Sequence, residues 1–176
     1  NMTGESPAST SLDMFAIMVN RLDDLKDLLL SDASPRETWA LIPSERLMRR
    51  EIARVLIDKA NGLYNVDQES VTADEKETDI RLRSTVSKHE AIIELKLADN
   101  RTFKDLRDTI KDQLVTKYMA AENSRAGCLM ITLSKERRWH DPVQMKQIKF
   151  PKLISILQKE AERIVEDLGG THHLHV

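Results

Sequence analysis

The spacing of hydrophobic residues divides the 176-residue chain into helical and strand-forming segments. Apolar residues recur every three or four positions over residues 12–29 and again over residues 47–60, a period typical of amphipathic helices. Between these segments, Ser34-Pro35-Arg36-Glu37 predicts a capping box with proline at the first helical position, and therefore a short helical turn. Residues 1–11 lack an apolar period and are rich in Ser, Thr, Pro and Gly, so we predict a disordered lead there.

The hydrophobic period falls to two after Gly62, which indicates strands instead of helices. Residues 68–73, 78–84 and 90–97 are predicted to form three strands. The polar tips that join them are short enough for antiparallel hairpins. We therefore expect a three-stranded antiparallel meander in the middle of the chain.

The second half of the chain predicts two helices around a buried strand. A helix capped by Thr102 is expected to run to about residue 121. The segment "GCLMITL", residues 127–133, is a continuous apolar run that suits a buried parallel strand reached by a helical crossover. Residues 134–149, "SKERRWHDPVQMKQIK", predict a polar loop, and residues 150–168 predict a last amphipathic helix.

The predicted order is helix, three-strand meander, helix, strand, helix and strand. This order is typical of an α/β fold with a mixed sheet flanked by helices. With 40% hydrophobic residues the chain can bury one core, so one globular domain is expected. We distinguish an N-terminal helical extension, residues 12–43, from a main domain, residues 44–176. The last residues, "HHLHV", are typical of a strand that has just begun, so we expect the natural protein to continue past Val176.

Composition narrows the possible partners and location. The 27 basic and 29 acidic residues give a net charge of -2, so an anionic partner has to be held by local clusters and not by an overall positive field. Cys128 is the single cysteine and sits in an apolar run, which predicts a buried, inert thiol. The sequence has no leader pattern and no apolar run of roughly 18 residues, so we expect a soluble, cytoplasmic protein without a membrane segment.

Charged residues interrupt the two best-defined strands on one face each. Side chains alternate across a strand, so Glu94 and Lys96 share a face of the third strand, and Asp79 and Arg81 share a face of the second. Hairpin pairing can place Asp79 beside Glu94. Two adjacent carboxylates need a positive charge between them, which Mg²⁺ supplies while Lys96 acts on an attacking water. The alternative is a solvated face with a weak ion pair, because this spacing also arises by chance in a chain with 32% charged residues.

The placement of these residues resembles the PD-(D/E)XK nuclease superfamily, which includes restriction endonucleases and archaeal-type Holliday junction resolvases. The resemblance covers about residues 45–133 and implies a restriction-endonuclease-like αβββαβ core. The matching positions are Glu51 on the first helix of the main domain, Asp79 at the start of the second strand, Glu94-Leu95-Lys96 in the third, and Gln113 with Tyr118 on the following helix.

The resemblance assigns roles to these positions. It implies that Asp79 and Glu94 bind Mg²⁺, for which Mn²⁺ can substitute, and that Lys96 activates water. Glu51 would support the metal directly or through water, with Glu45 and Glu69 as alternatives, and Gln113 would contact DNA or the residues around the metal ligands.

Two departures from the family pattern are visible in the sequence. Thr78 stands where the motif name has proline. Tyr118 lies five positions after Gln113 instead of the four positions typical of the recombination nucleases, which leaves the role of this tyrosine open.

Local basic clusters are the candidate DNA contacts, because affinity for DNA comes mostly from phosphate. We assign nucleic-acid binding to Arg81, Lys135, Arg137 and Arg138; the alternative for the last three is an ordinary polar loop with Trp139 packed inward. His172, His173 and His175 could bind a transition metal, but we interpret them as incidental.

The sequence therefore predicts a Mg²⁺-dependent DNA endonuclease that is the effector domain of a larger defence or repair protein. Further domains or an activating partner are expected beyond this segment. A homodimer is preferred because two strand cuts need two sites. The alternative is a catalytically inactive module of the same fold that binds nucleic acid or a partner protein, and a third is an unrelated α/β scaffold.

Overall fold

A computed structural model describes residues 5–68 and 79–176 of the chain. The helices are α1 (Ser11–Leu30), α2 (Arg36–Trp39), α3 (Glu45–Asp58), α4 (Phe103–Asp108) and α5 (Phe150–Asp167), and α4 continues directly into a π-helical segment, Thr109–Tyr118. The strands are β1 (Tyr64–Gln68), β2 (Asp79–Ser84), β3 (Glu90–Leu97), β4 (Ala126–Thr132), β5 (Arg138–Asp141), β6 (Lys146–Lys149) and β7 (His173–His175).

Short polar side chains start three of the helices by accepting a backbone N–H of the first turn. Thr10 and Thr102 each form a full capping box, and Ser44 accepts the N–H of Leu47. Thr102 therefore caps its helix as predicted. The capping box predicted at Ser34 does not form, because Pro35 occupies the cap position of a single-turn helix. Ser34 Oγ instead accepts the N–H of Arg36 and donates to the carbonyl of Leu29.

Five strands form a mixed sheet in the order β1-β2-β3-β4-β7. The first three pair antiparallel, as the predicted meander requires, and β3, β4 and β7 pair parallel. The α/β class, the mixed sheet and the parallel β4 predicted from the sequence are confirmed. The polar loop predicted at residues 134–149 is wrong, because β5 and β6 pair antiparallel there as a separate hairpin.

Helices cover both faces of the sheet, so the core has two halves. On one face, buried residues of α1 and α3 pack against Ile80, Ile93 and Cys128. On the other face, α4, the π-helical segment, α5 and the β5–β6 hairpin enclose Ile92 and Leu129. Because α1 shares its core with α3, the N-terminal helical extension is packed into the same unit as the main domain.

Two further segments differ from the sequence prediction. Residues 5–10, which we predicted to be disordered, contact the fold: Ala8 is fully buried, and its carbonyl accepts the hydroxyls of Ser84 and Ser87. The first strand begins at Tyr64 and not at residue 68, so it lies four residues earlier than predicted. Residues 69–73 and Glu69 lie outside the described residues. Among the helices that the structure describes, none has the length and apolar character needed to cross a membrane.

Candidate functional site

The register of β2 and β3 places Asp79 directly opposite Glu94. Opposed residues of an antiparallel pair have Cβ atoms about 5 Å apart, so the two carboxylates lie side by side on one face of the sheet. Lys96 follows on the same face, and its Nζ is 3.1 Å from Glu94 Oε1. All three side chains are almost completely buried, with exposed fractions of 0%, 1% and 5% in chain order.

Arg81 links Asp79 to a second buried acid. Its Nε lies 3.0 Å from Asp79 Oδ2, and its Nη1 lies 2.9 Å from Glu90 Oε1. Glu90 also accepts the hydroxyl of Ser124 at 2.5 Å. The other oxygen of Asp79, Oδ1, is buried and has no hydrogen-bond partner among the described residues. An unpaired buried carboxylate oxygen is costly, so it marks a position where a ligand would be stabilising.

Glu45, at the start of α3, is the helix acid that reaches the cluster. Its Oε2 is 3.9 Å from Lys96 Nζ, and its Oε1 accepts the N–H of Leu97 and the guanidinium of Arg101. Glu51, the acid that the family resemblance favours, lies six residues further along α3, a rise of about 9 Å, and pairs with Arg54. The structure therefore brings together Asp79, Glu94, Lys96 and Glu45.

The π-helical segment places Tyr118 beside this cluster. Arg81 lies 5.6 Å from the centre of its ring. Burial, with the charges of Glu94 and Asp79, raises the pKa of Tyr118 to about 12, so its phenol stays protonated near neutral pH and can donate a hydrogen bond. Gln113 lies on the exposed side of the same segment.

The predicted DNA contacts fall into two groups. Arg81 faces the acids Asp79 and Glu90 and is largely buried. Arg137 donates to the carbonyls of Ala98 and Asp99 and stacks on Trp139, so it holds the chain in place. Lys135 and Arg138 are exposed on and before β5.

Cys128 and His172 are held by contacts within the fold. Cys128 is buried, and burial raises the pKa of its thiol to about 12, as expected for an inert cysteine. The imidazole of His172 shares hydrogen bonds with Arg125 and Thr171.

The donor set fits a hard divalent cation only in part. Mg²⁺ binds one or two carboxylates and completes its coordination with water and phosphate oxygens, and Asp79 and Glu94 provide that pair. Within residues 5–68 and 79–176, however, no group of three or more His, Cys, Asp or Glu side chains is arranged to hold a metal ion. Water and substrate would therefore have to supply the remaining ligands.

Sequence reasoning missed the inner partners Glu90, Ser124 and Arg101. Glu90 was within reach of the sequence, because it shares its parity along β3 with Glu94 and Lys96 and therefore their face. Ser124 ends a single 3₁₀ turn, Glu122–Ser124, and Arg101 lies in the connection between β3 and α4, so strand alternation carries no signal for either residue.

These features define an α/β protein with a five-stranded mixed sheet, a small hairpin and a buried acid–base cluster at paired strands. Comparison with protein families, curated proteins and solved structures found no match for this chain.

Proposed function

We propose that this chain is a metal-dependent nuclease that hydrolyses phosphodiester bonds of DNA. The observation that carries the proposal is the pairing of Asp79 with Glu94 on one face, with Lys96 in contact with Glu94. The order α3, β1, β2, β3, α4, β4 supports a restriction-endonuclease-like αβββαβ core. We further propose that the chain acts as a homodimeric effector within a larger defence or repair protein.

The chain's own residues divide the chemistry among them. Asp79 and Glu94 would hold Mg²⁺ or Mn²⁺, which lowers the pKa of a bound water and stabilises negative charge on phosphate. The ammonium of Lys96 would orient the attacking water or stabilise charge that develops in the transition state. Glu45 Oε2 lies 3.9 Å from that ammonium, and Arg101 holds Glu45 through an ion pair of 2.6 Å.

A plasmid-cutting assay with Mg²⁺ or Mn²⁺ tests the proposal. Lys96→Ala and Asp79→Asn should each lower the rate by at least about 10²-fold, because each removes a group that acts on the transition state. Lys88→Ala and Asp67→Asn are matched controls. Lys88 lies on the β2–β3 connection and Asp67 on the adjacent strand β1, both side chains are exposed or partly exposed, and both variants should cut at the wild-type rate.

Circular dichroism should show that all four variants keep the fold. Metal-dependent cutting by the wild type that persists in Lys96→Ala and Asp79→Asn would contradict the assignment of the site.

A second candidate function is that of a non-catalytic module of the same fold. It is favoured because the buried charges of the cluster are already paired with one another. Asp79 is paired with Arg81 and Glu94 with Lys96, so the buried charges are compensated inside the chain. Such a module would bind DNA or a partner protein but would not cleave DNA in the presence of any metal ion. Absence of cleavage by the wild type, together with retained DNA binding, would support it over the nuclease.

A further inference from the structure

The β5–β6 hairpin carries two like charges directly opposite each other. Arg138 on β5 pairs in register with Lys149 on β6, and both side chains are exposed. Like charges at opposed positions of an antiparallel pair destabilise it. Neither residue forms an ion pair within the part of the chain that the structure describes. The hairpin therefore presents uncompensated positive charge at its base.

Asp141, the acidic residue within the β5–β6 hairpin strands, does not lie on this exposed surface. Asp141 is buried, and its Oδ1 accepts the N–H groups of Val143 and Gln144 in the turn between β5 and β6. Over residues 134–152 the sequence has six basic and two acidic residues, whereas the whole chain has a net charge of -2. Positive charge is thus concentrated on this segment, and the outward positions of the strands carry no carboxylate.

The hairpin is held rigidly by its inward side. Trp139 is 1% exposed, contacts the ring of Phe150, and donates from Nε1 to the carbonyl of Arg101 at 2.9 Å. Arg137 stacks on Trp139 from the other end and is bonded to the carbonyl of Asp99. A charged surface on a fixed ribbon loses little conformational freedom when it binds a partner.

The same contacts place the hairpin beside the acid–base cluster. Trp139 donates a hydrogen bond to the carbonyl of Arg101, and the guanidinium of Arg101 forms an ion pair of 2.6 Å with Glu45. Glu45 in turn lies 3.9 Å from Lys96. The hairpin is therefore connected to Lys96 through two intermediate residues, Arg101 and Glu45.

We propose that the outward face of the β5–β6 hairpin, formed by Arg138, His140, Gln147 and Lys149, binds the sugar-phosphate backbone of a DNA duplex. This proposal deepens the nuclease function, because the hairpin would hold the strand that the cluster cuts. Arg137 is not part of this surface, since its guanidinium is bonded to the β3–α4 connection.

Fluorescence anisotropy of a labelled DNA duplex in EDTA tests this surface without cleavage. The slope of log K against log salt is about -0.9 for each phosphate neutralised. Arg138→Gln/Lys149→Gln should therefore weaken binding and make the slope less negative by roughly 2. Lys26→Gln/Lys159→Gln removes the same charge from exposed positions on α1 and α5, and should bind with the wild-type slope.

In the binding assay, three results would overturn the proposal: no duplex binding by the wild type at low salt, an unchanged slope in the hairpin variant, or tighter binding of an RNA duplex of the same length. The nuclease proposal fails separately. If the hairpin variant loses DNA binding but the wild type never cuts with metal, the proposal of a DNA-binding hairpin is retained and the nuclease proposal is rejected. If the wild type cuts and the hairpin variant shows an unchanged KM, the nuclease proposal is retained and the proposal of a DNA-binding hairpin is rejected.

Discussion

Each acid of the candidate site lies beside a basic side chain. Asp79 faces Arg81, Glu94 faces Lys96, and Glu45 faces Arg101. Taking charges out of water costs several kcal/mol per ion unless each has a partner with good geometry. Arg81 is consequently an internal cation that occupies one side of Asp79 and leaves Oδ1 for another ligand.

Replacing Arg81 should couple the stability of the fold to metal. Arg81→Gln leaves Asp79 and Glu90 without their shared cation, so in EDTA we expect a loss of about 3–5 kcal/mol in the free energy of unfolding. Mn²⁺ bound at Asp79 replaces the missing positive charge, so the metal should stabilise the variant more than the wild type. Urea unfolding with EDTA and with Mn²⁺ measures both effects.

Arg83→Gln is the matched control for this experiment. Arg83 lies two positions further along β2, is about half exposed, and pairs with Asp67 at 2.8 Å. It also lies 3.5 Å from Glu90 Oε2, but in the Arg83→Gln variant Glu90 keeps Arg81 and Ser124 as partners. Replacing Arg83 should cost less than about 1 kcal/mol and should leave the effect of Mn²⁺ as in the wild type. Equal stabilisation of Arg81→Gln and the wild type by Mn²⁺ would show that the metal does not bind beside Arg81.

At the residue scale the sequence identified the shared face but not all of its members. The spacing of Glu94 and Lys96 fixes their common face, because the period of a strand is two. The choice between Glu45 and Glu51 could not be made in this way, since both lie on α3 and only the packing of its first turn against Leu97 and Arg101 brings Glu45 to Lys96.

The elements that were predicted best are those with strong local signals. The bounds of β3 agree with the prediction because "EAIIELKL" is bordered by polar segments on both sides. The strands β5 and β6 were missed because each is only four residues long and each carries a single apolar residue, Trp139 in β5 and Ile148 in β6. Their pairing depends on Trp139 and Ile148 meeting a distant part of the core.

The π-helical segment shows what a hydrophobic period cannot distinguish. The apolar positions Phe103, Leu106, Ile110 and Leu114 fit an ordinary helix, yet Met119 N bonds to the carbonyl of Leu114, five residues earlier. In an α-helix, Gln113 and Tyr118 would lie about 140° apart around the axis. The wider π turn brings residues five positions apart closer to one face, yet Gln113 remains exposed while Tyr118 is buried beside Arg81, so the segment brings only Tyr118 to the cluster.

The end of this segment depends on a glycine in the neighbouring strand. A Cβ on Gly127 would lie 2.5 Å from Met119 Sδ and 3.1 Å from Leu114 Cδ1. We expect Gly127→Ala to lower the free energy of unfolding by about 1–3 kcal/mol through overpacking. In a Met119→Ala background the same change should cost less, because the shortened side chain leaves room. Chemical denaturation of the four proteins in this cycle measures the coupling, and strictly additive losses would contradict the contact.

At the scale of the whole molecule, β7 is attached by parallel pairing to β4 and by contacts of its histidines. Arg125 bonds to the carbonyl of Met119 and shares a hydrogen bond of 2.6 Å with His172 Nε2. The guanidinium thereby joins the end of the π-helical segment to the residue before β7. A neutral imidazole suits this contact, because Nε2 can then accept from Arg125.

Stability should therefore fall as the pH is lowered through the range in which free histidine titrates. Burial, followed by the charge of Arg125, lowers the pKa of His172, and burial lowers the pKa of His175 against the opposing effect of Asp23. Below about pH 6.5 these histidines bind protons in the unfolded chain but resist protonation in the folded protein. Protonation therefore stabilises the unfolded state and lowers the free energy of unfolding. The loss begins near pH 6.5 and ends below the lowered pKa values of the folded protein.

Urea unfolding at pH values between about 7.5 and 5.5 measures this dependence, because most carboxyl groups titrate at lower pH. His172→Gln/His175→Gln should lower stability at neutral pH but flatten its dependence on pH, since neither glutamine takes up a proton. His140→Gln removes an exposed imidazole on β5 and serves as the control, with an expected slope equal to that of the wild type. If the double variant kept the full slope, the two imidazoles at β7 would not be the groups that resist protonation, and the acid sensitivity would have to arise elsewhere in the molecule.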